Sequence, residues 1–185
     1  MTTWLALLRG VNVNGIAVKM AELRACLDAA GLSNPKTVLA SGNALFDADG
    51  AATTAIRTRP KKQVETALRA TFGYDAWVVL VTLDELRAIV DAFPYDADDP
   101  AIQPYVLFGS DQAALDELLA AAPKLDPSVE AIARGHGAIY WRCPKGRTLD
   151  TPFAKLTAKA KFSASTTNRN LRTLVKVLAA ADTAG

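Results

Sequence analysis

The chain has a single histidine and two cysteines, and no stretch approaching the roughly 18 consecutive apolar residues that a membrane span requires. Each shortage removes a class of function. One histidine, His136, sits between Gly135 and Gly137 in a turn-like stretch, so a His-based metal centre and a Ser-His-Asp triad have no support. Two cysteines cannot build a disulfide framework, and Cys26 and Cys143 are read as free thiols. The N-terminus carries no basic segment leading into an apolar run and a cleavage site. A cytoplasmic protein with no membrane association is the expectation.

Apolar residues, by contrast, are plentiful. They make up 50% of the 185 positions, enough to bury a core without covalent staples. The net charge is only +2 but unevenly spread. Residues 1–65 carry +3, residues 66–132 carry −9 and residues 133–176 carry +9. A basic final third beside an acidic middle suits a face for a polyanion, two regions that attract one another or a partner protein, or ordinary solvated surface.

Pattern gives the order of elements. Trp4–Leu8 reads as a buried strand, and Met20, Leu23, Leu27 and Ala30 fall at helical spacing before Gly31. Thr37–Ala40 and Ala44–Phe46 read as short strands joined by Ser41-Gly42-Asn43. Pro60 is placed to open a helix carrying Val64, Ala67, Leu68 and Phe72 inward, and Ala76–Val81 is an apolar strand. The succession β-α-β-β-α-β is the ferredoxin-like arrangement. The expected fold class is therefore α+β, with a ferredoxin-like unit over 1–82 packed on a second, smaller α+β unit over 83–185.

In the second part Thr82 and Glu85 have capping-box spacing, Tyr105–Phe108 reads as a strand, and residues 111–121 as a helix. Val129–Ala133 and Ala138–Arg142 form a hairpin pattern. Thr151-Pro152 opens a short helix, and a closing helix runs from Asn168 to about Ala181, with Arg169, Arg172 and Lys176 as a cationic stripe opposite Leu171, Leu174, Val175 and Leu178. No sequence repeat is visible, although the two halves admit a distant structural echo.

The most informative segment is Arg9-Gly10-Val11-Asn12-Val13-Asn14-Gly15, where a strand runs into a glycine- and asparagine-rich loop that feeds a helix. Glycines allow close backbone approach to a ligand, and a helix start presents unpaired N–H groups to an anion. The plain alternative is a turn shaped for its own sake. Ferredoxin-like topology places the end of the first strand beside the start of the third, so Arg9, Asn12, Asn14, Lys19, Ser41 and Asn43 are expected to share one edge. This is not a P-loop, since Ile16-Ala17 stand where Lys-Ser/Thr belong.

Weaker candidates are also present. Cys143 lies between Arg142 and Lys145, but sequence proximity proves little and an exposed structural thiol is the main reading. Asp96, Asp98 and Asp99 lack the ligand pattern of a cation loop, so no metal is expected. The run Arg57-x-Arg59-Pro60-Lys61-Lys62 and the group Lys155, Lys159 and Lys161 read as solvated surface or phosphate contacts. Tyr140, opposite Ile139 and Trp141 in the alternation, is placed to stack a base or to pack in the core.

The segments Ala6-Leu7-Leu8-Arg9-Gly10-Val11-Asn12-Val13-Asn14-Gly15, Met20-Ala21-Glu22-Leu23-Arg24, Ala40-Ser41-Gly42-Asn43 and Thr166-Thr167-Asn168-Arg169-Asn170 together resemble a widespread bacterial family known only as a domain of unknown function, over the whole chain. This sequence departs from the family pattern with Asn14 in place of glycine, Asn168 as an extra residue and Leu171 in place of tryptophan. The resemblance implies a two-part α+β fold and no particular activity.

The ligand-contacting set expected from these readings is Arg9, Gly10, Asn12, Asn14, Gly15, Lys19, Ser41, Gly42 and Asn43, with Arg169 and Asn170 from the C-terminal motif. No cofactor is implied and no catalytic residue stands out. The leading reading is a binding protein for a phosphate-bearing ligand, a nucleotide or nucleic acid. The alternatives are a small enzyme acting on an anionic metabolite through Arg9, Asn12 and Ser41, or a protein–protein interaction module joined by opposite charge patches.

Overall fold

The structure is a computed structural model, described here for residues 1–10, 17–39, 42–49 and 54–183. The chain forms two compact units, Met1–Leu86 together with the chain from Lys176, and Arg87–Val175. Each contains a four-stranded antiparallel sheet.

In the first unit the elements are β1 (Thr2–Arg9), α1 (Met20–Ala29), β2 (Ser33–Thr37), β3 (Asn43–Ala48), α2 (Thr54–Phe72), β4 (Trp77–Thr82) and the start of α3 (Leu83–Asp91). The strand order is β2-β3-β1-β4, as the ferredoxin-like reading requires. Trp4, Ala6 and Leu8 project from one face of β1 and pack with Phe46, Val78 and Leu80 against Leu23, Leu27, Val64 and Leu68 of the two helices. Leu5 and Leu7, on the opposite face, are also fully buried. Burial on both faces explains why this strand reads as an unbroken apolar run rather than an alternation. The capping box forms as expected: Thr82 N donates to Glu85 Oε2 at 2.8 Å, and Glu85 N to Thr82 Oγ1 at 3.1 Å.

Two expectations need correction here. The strand expected over 37–40 lies instead at Ser33–Thr37, with Pro35 inside it and a register shift between Ser33 and Lys36. As the outermost strand, β2 tolerates a proline because a missing outward N–H breaks no ladder bond. Pro60 does not open α2, which begins at Thr54 and carries the proline internally. The basic run 57–62 therefore lies along the helix. Arg57 donates to the Leu80 carbonyl at 2.6 Å, Lys61 to the Val78 carbonyl at 2.8 Å and Arg69 to the Ala76 carbonyl at 3.3 Å, while Glu65 accepts from Val78 N at 3.1 Å. Side chains on one face of α2 thus occupy backbone groups of Leu80 and Val78 on the outer edge of β4 and of Ala76 just before it.

The second unit repeats the plan: β5 (Ile102–Gly109), α4 (Gln112–Leu119), a 3-10 turn at Ala122–Lys124, β6 (Ala131–Arg134), β7 (Ala138–Pro144), the short α5 (Pro152–Thr157) and α6 (Ala160–Ser163), β8 (Thr166–Asn170) and the start of α7 (Leu171–Asp182). Its strand order β6-β7-β5-β8 matches the first unit position for position, with two short helices in place of α2. The echo absent from the sequence is present in the topology. Leu107, Ile139, Trp141, Phe153 and Phe162 fill the core with Leu115 and Leu118 of α4. Glu130, 1% exposed, braces it by accepting from Trp141 Nε1 and Phe153 N, each at 3.0 Å.

The stretch 166–170 was expected to lie in or lead into the closing helix, and it is a strand. Its two threonines favour extended backbone, and their polarity hides that Thr166, Thr167 and Arg169 are buried. Among the described residues no helix is long and apolar enough to cross a membrane.

Candidate functional site

The register of the first sheet decides what can meet at its edge. Leu7 lies opposite Asn43, and Leu8 N donates to the Gly42 carbonyl at 2.8 Å. Strand β1 then ends at Arg9, opposite Trp77 on the other side. Arg9 and Gly10 on one segment and Gly42 and Asn43 on another, some thirty residues away in sequence, are therefore neighbours. Asn12, Asn14, Gly15 and Ser41 lie outside the described residues.

The four described side chains and backbones differ in kind. Arg9 is partly buried, and its guanidinium has no hydrogen-bond or ion-pair partner among the described residues. Gly10 turns the chain at φ +76° with open space where a side chain would stand, a conformation that disfavours other residues. Asn43 is fully buried. Its Nδ2 donates to the Val38 carbonyl at 3.1 Å while Val38 N donates to the Asn43 carbonyl at 3.0 Å, so it closes the hairpin between β2 and β3. Lys19 stands just before α1, exposed, with its ammonium 3.5 Å from Glu22. The edge thus offers a cation without a counter-charge among the described residues, beside glycine-flanked backbone.

Arg169 and Asn170 belong to the second unit. Arg169 is 9% exposed and donates through Nη1 to Thr167 Oγ1 at 2.7 Å and the Asn168 carbonyl at 2.8 Å. Burial lowers its pKa to about 10. Asn170 accepts from Arg172 N at 2.9 Å, starting α7, and donates to Gln103 Oε1 at 2.9 Å. The expected Arg169/Arg172/Lys176 stripe does not exist, because Arg169 lies in the strand before the helix. Arg172 instead reaches the Ala97 carbonyl at 2.9 Å.

Other candidates resolve into structure. Tyr140 is 3% exposed, donates to the Ile89 carbonyl at 2.9 Å and meets Phe93 edge-on at 5.6 Å, so it presents no free face to a base. Cys143 is fully buried rather than exposed. Burial pushes its thiol pKa up, which opposes a nucleophilic role. Asp96 and Asp99 accept from the backbone amides of Asp98 and Ala101, and no group of potential metal ligands occurs among the described residues. Sequence reasoning missed the buried brace Glu130 and the edge-covering role of Arg57, Lys61 and Glu65. Only the four-residue spacing of Arg57, Lys61, Glu65 and Arg69 signalled the latter.

A family model described as "Protein of unknown function (DUF1697)" matches residues 1–140. No curated protein matches the chain. Among solved structures, the conserved bacterial protein SP0830 from Streptococcus pneumoniae superposes with a TM-score of 0.76 at 24% identity, over 96% of this chain and 97% of that one, and has the same fold. An unknown protein from Galdieria sulphuraria, at 10% identity over 91% of this chain and 96% of that one, has a TM-score of 0.25, a likeness too slight to bear on the fold.

Proposed function

The chain belongs to the DUF1697 family of proteins of unknown function, and from that premise we propose that it is a binding protein that captures a phosphate-bearing ligand, a nucleotide or nucleic acid, where β1 ends and β3 begins. One observation carries the reading. The 2.8 Å bond from Leu8 N to the Gly42 carbonyl holds together two glycine-containing turns beside Arg9, whose guanidinium is unpaired among the described residues. A guanidinium gives a phosphoryl group two parallel donors. In this proposal Gly10 and Gly42 allow the ligand close to the backbone, and Asn12, Asn14, Gly15, Lys19 and Ser41 complete the contact. Asn43 fixes the hairpin that carries the turn.

The test is fluorescence anisotropy with a labelled single-stranded RNA and a labelled nucleoside triphosphate. Loss of a charge-assisted contact worth about 1.5–3 kcal/mol predicts that Arg9→Ala weakens capture about 10- to 100-fold with little change in melting temperature. Unchanged capture with a large drop in melting temperature makes Arg9 a strut of the loop and removes the proposal.

A further inference from the structure

Two cations of the last third of the chain meet one from its acidic middle at a place that the sequence does not show. In the second unit a cleft of about 450 Å³ opens between the 3-10 turn and α5, with Leu125 and Leu156 as apolar walls and Lys124, Lys155 and Lys159 around them. All three lysines are exposed, and none of their ammonium groups has an ion-pair or hydrogen-bond partner among the described residues. Lys124 comes from the acidic middle of the sequence, about thirty residues before the other two.

Among the described residues no carboxylate lies within ion-pair distance of these three lysines. Asp126, next to Leu125, accepts from Ser128 N at 2.9 Å and Ser128 Oγ at 2.7 Å. Glu117 pairs with Lys161 at 2.5 Å, and Glu130 is buried under Trp141 and Phe153. Lys155 lies in α5 and Lys159 just beyond it, at the start of α6, so two consecutive helices each bring an ammonium group to the rim. A like-charged trio of this kind around an apolar cleft is poised for a ligand that brings the missing negative charge.

We propose that this cleft binds a nucleoside di- or triphosphate, with the base between Leu125 and Leu156 and the phosphates on Lys124, Lys155 and Lys159. The volume lies in the range of small-ligand sites, which combine apolar walls with a few polar groups. A flat base buries both faces against the leucines, and two or three phosphates match three ammonium groups. A single-charged fatty acid leaves two lysines uncompensated, and inorganic phosphate leaves the leucines unused. The site lies wholly within the second unit and is independent of the edge proposed around Arg9.

Isothermal titration calorimetry of the full chain tests this with ATP and with inorganic triphosphate as a base-free probe. Wild type should bind ATP about tenfold more tightly than triphosphate. Replacing the lysines together (K124Q, K155Q, K159Q) should weaken ATP binding at least tenfold and flatten its salt dependence. Leu156→Ala should erase the preference for ATP while leaving triphosphate binding intact, which also shows that the variant is folded. Equal affinities of wild type for the two probes, or unchanged ATP affinity in the triple variant, overturns the proposal. Loss of all ATP binding in Arg9→Ala with none in the lysine variant assigns the nucleotide to the first unit and overturns it as well.

Discussion

The Arg57 guanidinium donates to the Leu80 carbonyl across 2.6 Å, and through this bond a helix begins to cover the open edge of a sheet. Lys61 and Glu65, one and two turns on, repeat the contact at Val78. A bare outer strand is a template for pairing with another chain.

Replacing Lys61 and Glu65 together by alanine should therefore do two things. Stability should fall by about 1–2 kcal/mol for the lost hydrogen bonds, read from urea denaturation. Light scattering on mild heating should also rise faster and depend on concentration, because β4 is then open to edge pairing. Lost stability without added self-association would show that α2 braces the sheet but does not shield it.

Glu85 supplies a pH-dependent contribution. Burial pushes its carboxyl pKa up, but the hydrogen bonds from Arg57 and from Thr82 N, with the Arg57 charge, outweigh this and hold it below the usual glutamate value. A carboxyl that titrates lower when folded stabilises fully above its unfolded value, about 4.3, and loses that effect as pH falls through the folded value. Glu85→Ala should cost about 1 kcal/mol at pH 7 as a lost cap, and its deficit relative to wild type should shrink below about pH 4. A deficit constant from pH 7 to pH 3 would mean that the charge contributes nothing.

Gly109 tests packing at the end of β5. A Cβ there would stand 2.8 Å from Cγ and Cδ2 of Leu115, which is itself 2% exposed and has little room to move. Gly109→Ala should destabilise the protein by about 1–3 kcal/mol through overpacking. The same substitution in a Leu115→Ala background should cost far less, since the obstruction is gone. Equal costs in the two backgrounds would place the strain elsewhere.

The sequence displays what is local. The run Trp4–Leu8 showed β1 because both its faces are buried. Thr82 and Glu85 showed the start of α3 because a capping box is set by neighbours three residues apart. The pairing at the candidate edge was also legible, since β-α-β-β-α-β order makes the first and third strands neighbours, and Leu7 does face Asn43. Pro60 misled because proline reads as a boundary, whereas a long packed helix absorbs one. Thr166–Asn170 misled because its burial comes from tertiary contacts and its residues are polar.

Pattern and turn chemistry alone thus determined the fold class and placed Arg9 beside the Gly42 turn, because periodicity and strand order are properties of the chain itself. Only the tertiary structure decided which cations are engaged. It turned Arg57 and Lys61 onto a strand edge, buried Arg169, and gathered Lys124 with Lys155 and Lys159 around Leu125 and Leu156. The physical reason is that a charge's role depends on what stands within a few ångströms of it, and sequence distance does not report that.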